Sequence, residues 1–191
     1  MKIIKTKLTT TPSVIFVIGC IVTILLGVLS HFAYDISGNS FLFGLFFPVN
    51  ESIWEHLKLA LVPLTIFAIT YSFIYTKQKH MLNNFWYYIA SSIIISMLLI
   101  PVSHYTYKLI FKVVPDFVNV LIYIISIIIS FYYLYRKLSM EYINSSSKNK
   151  NSTGILRITI LYLLFIIFTI YPPKLELFRD PVTNTFGIYL L

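Results

Sequence analysis

Five apolar runs separated by short polar connections set the pattern of this chain. They cover approximately residues 12–34, 50–76, 84–110, 116–135 and 154–172, and each reaches the ~20 residues a helix needs to cross a bilayer core. The pattern predicts an all-α fold, a polytopic membrane helix bundle of about five transmembrane helices. It forms a single integral membrane domain over 1–191, with a loop at 136–153 and a tail at 173–191.

Local signals refine these elements. Pro12 suits a helix start, where its missing N–H would be unpaired anyway. The connection 35–49 carries the turn residues Gly38, Asn39, Gly44 and Pro48, but also Phe41-Leu42-Phe43 and Leu45-Phe46-Phe47. So apolar a loop is expected to lie in the interface or fold back on the bundle. Asn50 is expected to cap the second helix, with Glu51 in its first turn, and Pro63 to kink it. Trp86, Tyr87 and Tyr88 resemble an interfacial aromatic belt, with Trp54 as a further interface anchor. Pro115 and Asp116 mark a turn, and residues 144–151 read as a solvated loop.

Composition narrows the class. Of 191 residues, 58% are hydrophobic and 12% charged, about half the usual ~25% charged, which excludes an ordinary soluble domain. The net charge of +8, from 15 basic against 7 acidic residues, sits in the connections, so the expected partner is anionic inner-leaflet lipid and not nucleic acid. Lys2, Lys5, Lys7, Lys77, Lys79, Arg136, Lys137, Lys148, Lys150 and Arg157 collect on one side. Lys108, Lys112, Lys174 and Arg179 lie on the other, and Lys58 falls within a helix. The richer side belongs in the cytoplasm, which places the N-terminus inside and, after five spans, the C-terminal tail outside. The start resembles a signal peptide, and Val17 to Cys20 a lipoprotein box. The apolar run continues to Leu29, however, so an uncleaved first span is expected. Cys20 is the only cysteine, which excludes an internal disulfide and a cysteine-based metal site.

Ionisable residues in membrane segments are costly and point to function. His31, Asn50, Glu51, Glu55, His56 and His104 fall at the outer ends of spans one, two and three, at one membrane level. Glu51 and Glu55 are i and i+4, and Ser52 shares the face of His56. Glu51, Glu55 and His56 are the expected catalytic groups. The expected metal ligands are His31, Glu55 and His104, with Asp35 orienting His31. Such donors suit Zn, Mn or Fe, although no HExxH-type spacing is present. In the tail, Arg179 is placed to pair with Glu51 or Glu55, and Asp180 to join the site.

Three readings stay open on these residues. One is a metal-dependent or acid-base hydrolase or transferase acting on a lipid or lipid-linked substrate. The second is a transporter subunit or a cation- or proton-binding membrane protein, against which the polar residues thin out below Lys58 to Thr65, Thr70, Tyr71 and Ser72. The third is a structural polar staple between helices, with Lys58 paired to Glu55 at i+3.

The segments His31 to Asp35 (HFAYD), PVNESIWEHLKL within 44–63, His104-Tyr105, Pro172-Pro173 and Arg179-Asp180-Pro181 carry a likeness across most of the chain. It resembles a family of small, uncharacterised bacterial multi-pass membrane proteins sharing a PVNESIWEHLK-type motif. The resemblance implies a bacterial plasma-membrane location and no particular reaction.

Overall fold

The computed structural model describes residues 11–76, 84–143 and 149–188. Lys2, Lys5, Lys7, Lys77, Lys79, His80, Lys148 and most of the polar stretch 144–151 lie outside the described residues.

The fold is all-α. Its helices are α1 (Thr11–Ser30), α2 (Ala33–Ile36), α3 (Phe41–Gly44), α4 (Ile53–His56), α5 (Lys58–Thr76), α6 (Phe85–Phe111), α7 (Asp116–Ile143) and α8 (Asn151–Ile170). Four stretches are long and apolar enough to cross a membrane: Ile53–Ile74, Phe85–Phe111, Asp116–Met140 and Asn151–Ile170. The apolar part of α1, Val14–Ser30, is a shorter fifth. Among the described residues no β-sheet forms, and one isolated bridge joins Arg179 to Phe186 in the tail. Two boundaries differ from the hydropathy pattern. The first span stops at Ser30, and the second is interrupted at Leu57 between α4 and α5. A hydropathy window long enough to find a span averages over both breaks, since the few polar residues at each (Ser30 and His31; His56 and Lys58) sit between longer apolar stretches.

Helix α6 is the hub and packs against α5, α7 and α8, while α1 packs against α5 and α7. Phe85, Ile89 and Ile93 of α6 are fully buried together with Leu64 of α5, Ile127 and Leu134 of α7 and Phe165 of α8. Outward-facing residues such as Ile18, Leu25, Ile125 and Ile128 remain exposed aliphatics, as a lipid-facing surface requires.

Pro63 sits inside α5, where its missing N–H leaves the Leu59 carbonyl without its usual helical donor. The Tyr123 hydroxyl of α7 stands 3.3 Å from that carbonyl and 3.2 Å from the Thr23 carbonyl of α1, so its one O–H is shared between the two helices. A side chain at Gly27 would collide with the same hydroxyl and come within 2.8 Å of the same carbonyl. One point therefore closes α1, α5 and α7 on each other through a glycine, a proline and a tyrosine.

At the opposite end of the bundle, the Trp86 N–H donates to Asn151 Oδ1 at 2.9 Å. Arg157 and Lys150 lie over the Tyr87 ring, at 4.6 and 5.3 Å from its centroid. The aromatic belt at the start of α6 thus also binds α8. Trp54, expected as an interface anchor, instead packs inside the protein. It stacks on Phe165 at 4.5 Å between ring centroids and contacts Phe178 of the tail at 4.8 Å.

Candidate metal centre

The site grows from how residues 48–56 fold. Ser52, not Asn50, is the N-cap of α4, and its hydroxyl accepts the Glu55 N–H at 3.3 Å. Asn50 acts one step earlier, its Oδ1 accepting the Ser52 N–H at 2.9 Å in an Asx-type turn. Glu51 therefore stands before the helix and not on its face, so the i, i+4 relation to Glu55 does not hold. Freed from the helix, its carboxylate turns toward α1.

Two imidazoles meet it there. His31 lies in the turn that ends α1, and its Nε2 is 3.5 Å from Glu51 Oε1. His56, at the end of α4, places Nε2 at 3.3 Å from Glu51 Oε2. One donor atom from each of the three residues lies within 4.8 Å of the others, and no other such group of three forms among the described residues. Donors about 2.0–2.2 Å from a zinc ion in a tetrahedral shell stand about 3.3–3.6 Å apart. Each imidazole lies at such a distance from its own oxygen of Glu51, and with one donor atom per residue the three stand within 4.8 Å of one another, so a small closure would bring them onto one ion.

The chemistry of His56 is fixed from behind. Its Nδ1 lies 2.8 Å from the Ser52 carbonyl, an acceptor only, so Nδ1 carries a hydrogen. Nε2 is left to share with Glu51 either a proton or a metal cation. A backbone carbonyl holding one ring nitrogen so that the other faces the ion is the usual support of a metal-binding histidine. His31 lacks such support, since its buried Nδ1 has no hydrogen-bond partner. Glu51 lies outside the spanning stretches, and hydrogen bonding from His56 holds its carboxyl below the usual carboxylate range, against the effect of its partial burial. The rings of His31 and His56 lie 5.1 Å apart, and Glu51 is about half exposed, leaving one side of the group open.

The structure does not bring Glu55 or His104 into this group. Glu55 is buried and its carboxylate accepts three hydrogen bonds: from Lys58 Nζ at 2.5 Å, the Val49 N–H at 3.2 Å and the Thr169 hydroxyl at 2.8 Å. Lys58 donates in addition to the carbonyls of Gly44 at 2.7 Å and Phe47 at 3.3 Å. Three donors thus meet three acceptors, which folds the apolar 41–49 connection back onto α5. His104 pairs instead with Asn119 of α7 through Nδ1 at 2.8 Å. Asp35, on α2 beyond the break in α1, is exposed and acts on His31 only through space.

The tail docks at the same end of the bundle without entering the group. Arg179 pairs with Glu176 at 2.7 Å, and Lys108 of α6 approaches the same carboxylate at 3.3 Å. Hydrogen bonding from Arg179, seconded by Lys108, holds the Glu176 carboxyl below its ordinary range. Asp180 is buried and caps a turn by accepting the Val182 N–H and the Thr183 hydroxyl, at 2.8 and 2.7 Å. Asn50 Nδ2 donates to Gly187 O at 3.2 Å, and the Ile188 N–H to Thr169 O at 2.8 Å, so the tail holds the residue next to Glu51. Thr169 and Tyr123 carry no signal in the sequence that marks them as partners. The Leu59 carbonyl that Tyr123 serves, by contrast, follows from Pro63 alone.

Fold and site together define a multi-pass helical membrane protein with a His–Glu–His group able to chelate a cation at one end of the bundle. The chain belongs to DUF6512, a family of unknown function whose model matches residues 4–188. No curated protein and no solved structure matches it.

Proposed function

We propose that this is a membrane metalloprotein of the bacterial plasma membrane whose His31–Glu51–His56 centre opens to the outer face. There it serves as a hydrolase or transferase on a lipid or lipid-linked substrate. The observation that carries the reading is the His56 ring, whose Nδ1 is held on the Ser52 carbonyl while Nε2 faces Glu51 at 3.3 Å. Two imidazoles and a carboxylate with one open side are the ligand set of catalytic zinc sites, where the remaining position takes water or substrate. A divalent ion held there supplies Lewis-acid polarisation and a nucleophilic water near neutral pH. The chain's own part is to fix the three donors and keep one face accessible.

The transport reading has less support. The hydroxyls of Thr65, Ser92, Ser96 and Ser126 turn back on carbonyls of their own helices, and a relay of polar groups through the bundle does not form from them. The staple reading applies to Glu55 and Lys58 and not to Glu51, which leaves the two roles on different carboxylates.

Elemental analysis of protein purified without chelators or a histidine tag is the test. One equivalent of zinc or another divalent metal per chain is expected, falling to background in His56→Ala and Glu51→Ala and retained in His104→Ala. Metal-free protein whose melting temperature ignores added zinc and chelator would overturn the reading and leave a histidinium–carboxylate pair.

A further inference from the structure

Beside the metal centre, α1 and α5 part locally although they pack against each other elsewhere. They leave a cavity of about 260 Å³ walled by Leu26, Leu29 and Ala33 on one side, Val62 and Ile66 on the other, and Phe47 above. Ser30, the polar side chain in this wall, donates its hydroxyl to Gly27 O at 2.9 Å, so the lining offers a ligand little but apolar surface. The rim is open toward the lipid-facing side, where Leu29 is 66% and Ile66 44% exposed.

Its position relative to the centre follows from the chain. Ser30 and Ala33 flank His31, and Phe47 precedes Glu51 by four residues. Val62 and Ile66 follow His56 by six and ten residues, which at 1.5 Å per residue places them about 9 and 15 Å along the helix from the imidazole. Half of a ~30 Å hydrocarbon core is also about 15 Å. On α1 the lining reaches back to Leu26, five residues or about 7.5 Å from His31, so the groove starts near the level of the His–Glu–His group and runs part of the way into one leaflet.

Charge decides what stands at the upper end. Two neutral imidazoles, one carboxylate and a divalent cation sum to a net positive centre with one open side, and the ion is the largest local charge. Such a centre favours an oxyanion. We infer that the α1–α5 groove receives the apolar chain of a membrane lipid whose oxyanion head reaches the His31–Glu51–His56 centre, an inference that rests on the metal reading above. The substrate class is then an amphiphile held by both ends, its head on the ion and its chain along Leu26, Val62 and Ile66. A protein segment fits this groove less well, because an extended backbone would bring unpaired N–H and C=O groups into an apolar wall.

Cobalt(II) substituted into the full-length detergent-solubilised protein gives a direct probe, since its visible spectrum changes when an oxyanion enters the coordination shell. Butyl phosphate and dodecyl phosphate, titrated below their micellar concentrations, share a head and differ in chain. Dodecyl phosphate is expected to act at a concentration at least tenfold lower, a factor that burial of about two extra methylenes provides. Val62→Phe, which fills the groove, should erase that preference while cobalt content and the butyl phosphate titration stay unchanged. Ile66→Phe, at a more exposed position, should reduce it in the same direction and serves where Val62→Phe does not fold. A preference that survives in both variants reports micelle partitioning and overturns the inference, as does its absence from the unsubstituted protein. A dimer that becomes monomeric in the variants overturns it too, because the groove would then be filled by a second copy. Failure to take up cobalt sinks the metal reading itself, whereas cobalt uptake without a groove-dependent preference sinks only the lipid inference.

Discussion

Glu51 and Glu55 are four residues apart and live in different environments. Glu51 is half exposed between two imidazoles, while Glu55 is 1% exposed against Lys58, also 1% exposed. Their separation comes from Ser52, whose capping hydroxyl starts α4 after Glu51 and before Glu55. Removing Lys58 would leave a buried carboxylate without its counter-charge, a loss of about 3–5 kcal/mol. Lys58→Met is therefore expected to lower the thermal melting point sharply. Adding Glu55→Gln to it should recover part of the loss, since the pair then loses both charges. Strictly additive melting shifts would show that the two side chains do not act as a unit. At this scale the sequence makes every member of the site visible as a costly polar residue. It misassigns the grouping because helical spacing places Glu51 on a helix that begins two residues later. His104 is equally visible, but its partner Asn119 is settled by the packing of α6 on α7, which spacing within one helix does not report.

Among the elements, the tail shows most clearly what the pattern does not convey. Pro172, Pro173 and the Asp180-Pro181 pair announce turns. That the turns fold back to hold Asn50 and cover Trp54 depends on contacts across more than a hundred residues of chain. The clamp of Lys108 and Arg179 on Glu176 gives this docking a pH dependence. Because the folded carboxyl titrates below its ordinary value of ~4.3, the clamp contributes fully above that value and is lost as pH falls through the lower, folded one. Proteolysis or hydrogen exchange of residues 176–188 should accordingly stay slow down to about pH 4.5 and quicken below it. Glu176→Gln should show the faster rate already at neutral pH, with a weaker acid response. A variant as protected as the parent at neutral pH would mean that the tail is held by Asp180, Phe178 and Gly187 alone. The break at Leu57 belongs to the same scale: Leu57 keeps helical dihedrals and tightens the turn between α4 and α5, and no hydropathy window detects it.

For the whole molecule, the number and order of the long helices follow from apolar run length, because bilayer thickness fixes helix length whatever the side chains do. Orientation rests on a different quantity, the basic residues in the connections. Lys58 drops out of that count, since it is buried against Glu55. At the site end of the bundle stand Lys108, Lys112, Lys174 and Arg179. At the other end stand Arg136, Lys137, Lys150 and Arg157, joined in the sequence by Lys2, Lys5, Lys7, Lys77, Lys79 and Lys148. The ends that the described residues leave balanced are thus made unequal by the remaining lysines, and the site end is expected outside. Single cysteines at Asn39, in the exposed turn beside the centre, and at Asn149, exposed at the opposite end, test this in a Cys20→Ala background. A membrane-impermeant thiol reagent should label the Asn39 position in intact cells and the Asn149 position only after permeabilisation. The opposite pattern would turn the bundle over and place the centre in the cytoplasm. The His–Glu–His geometry and the α1–α5 groove would both survive that result, but the groove would then open to the inner leaflet, and lipid chains would reach it from that side.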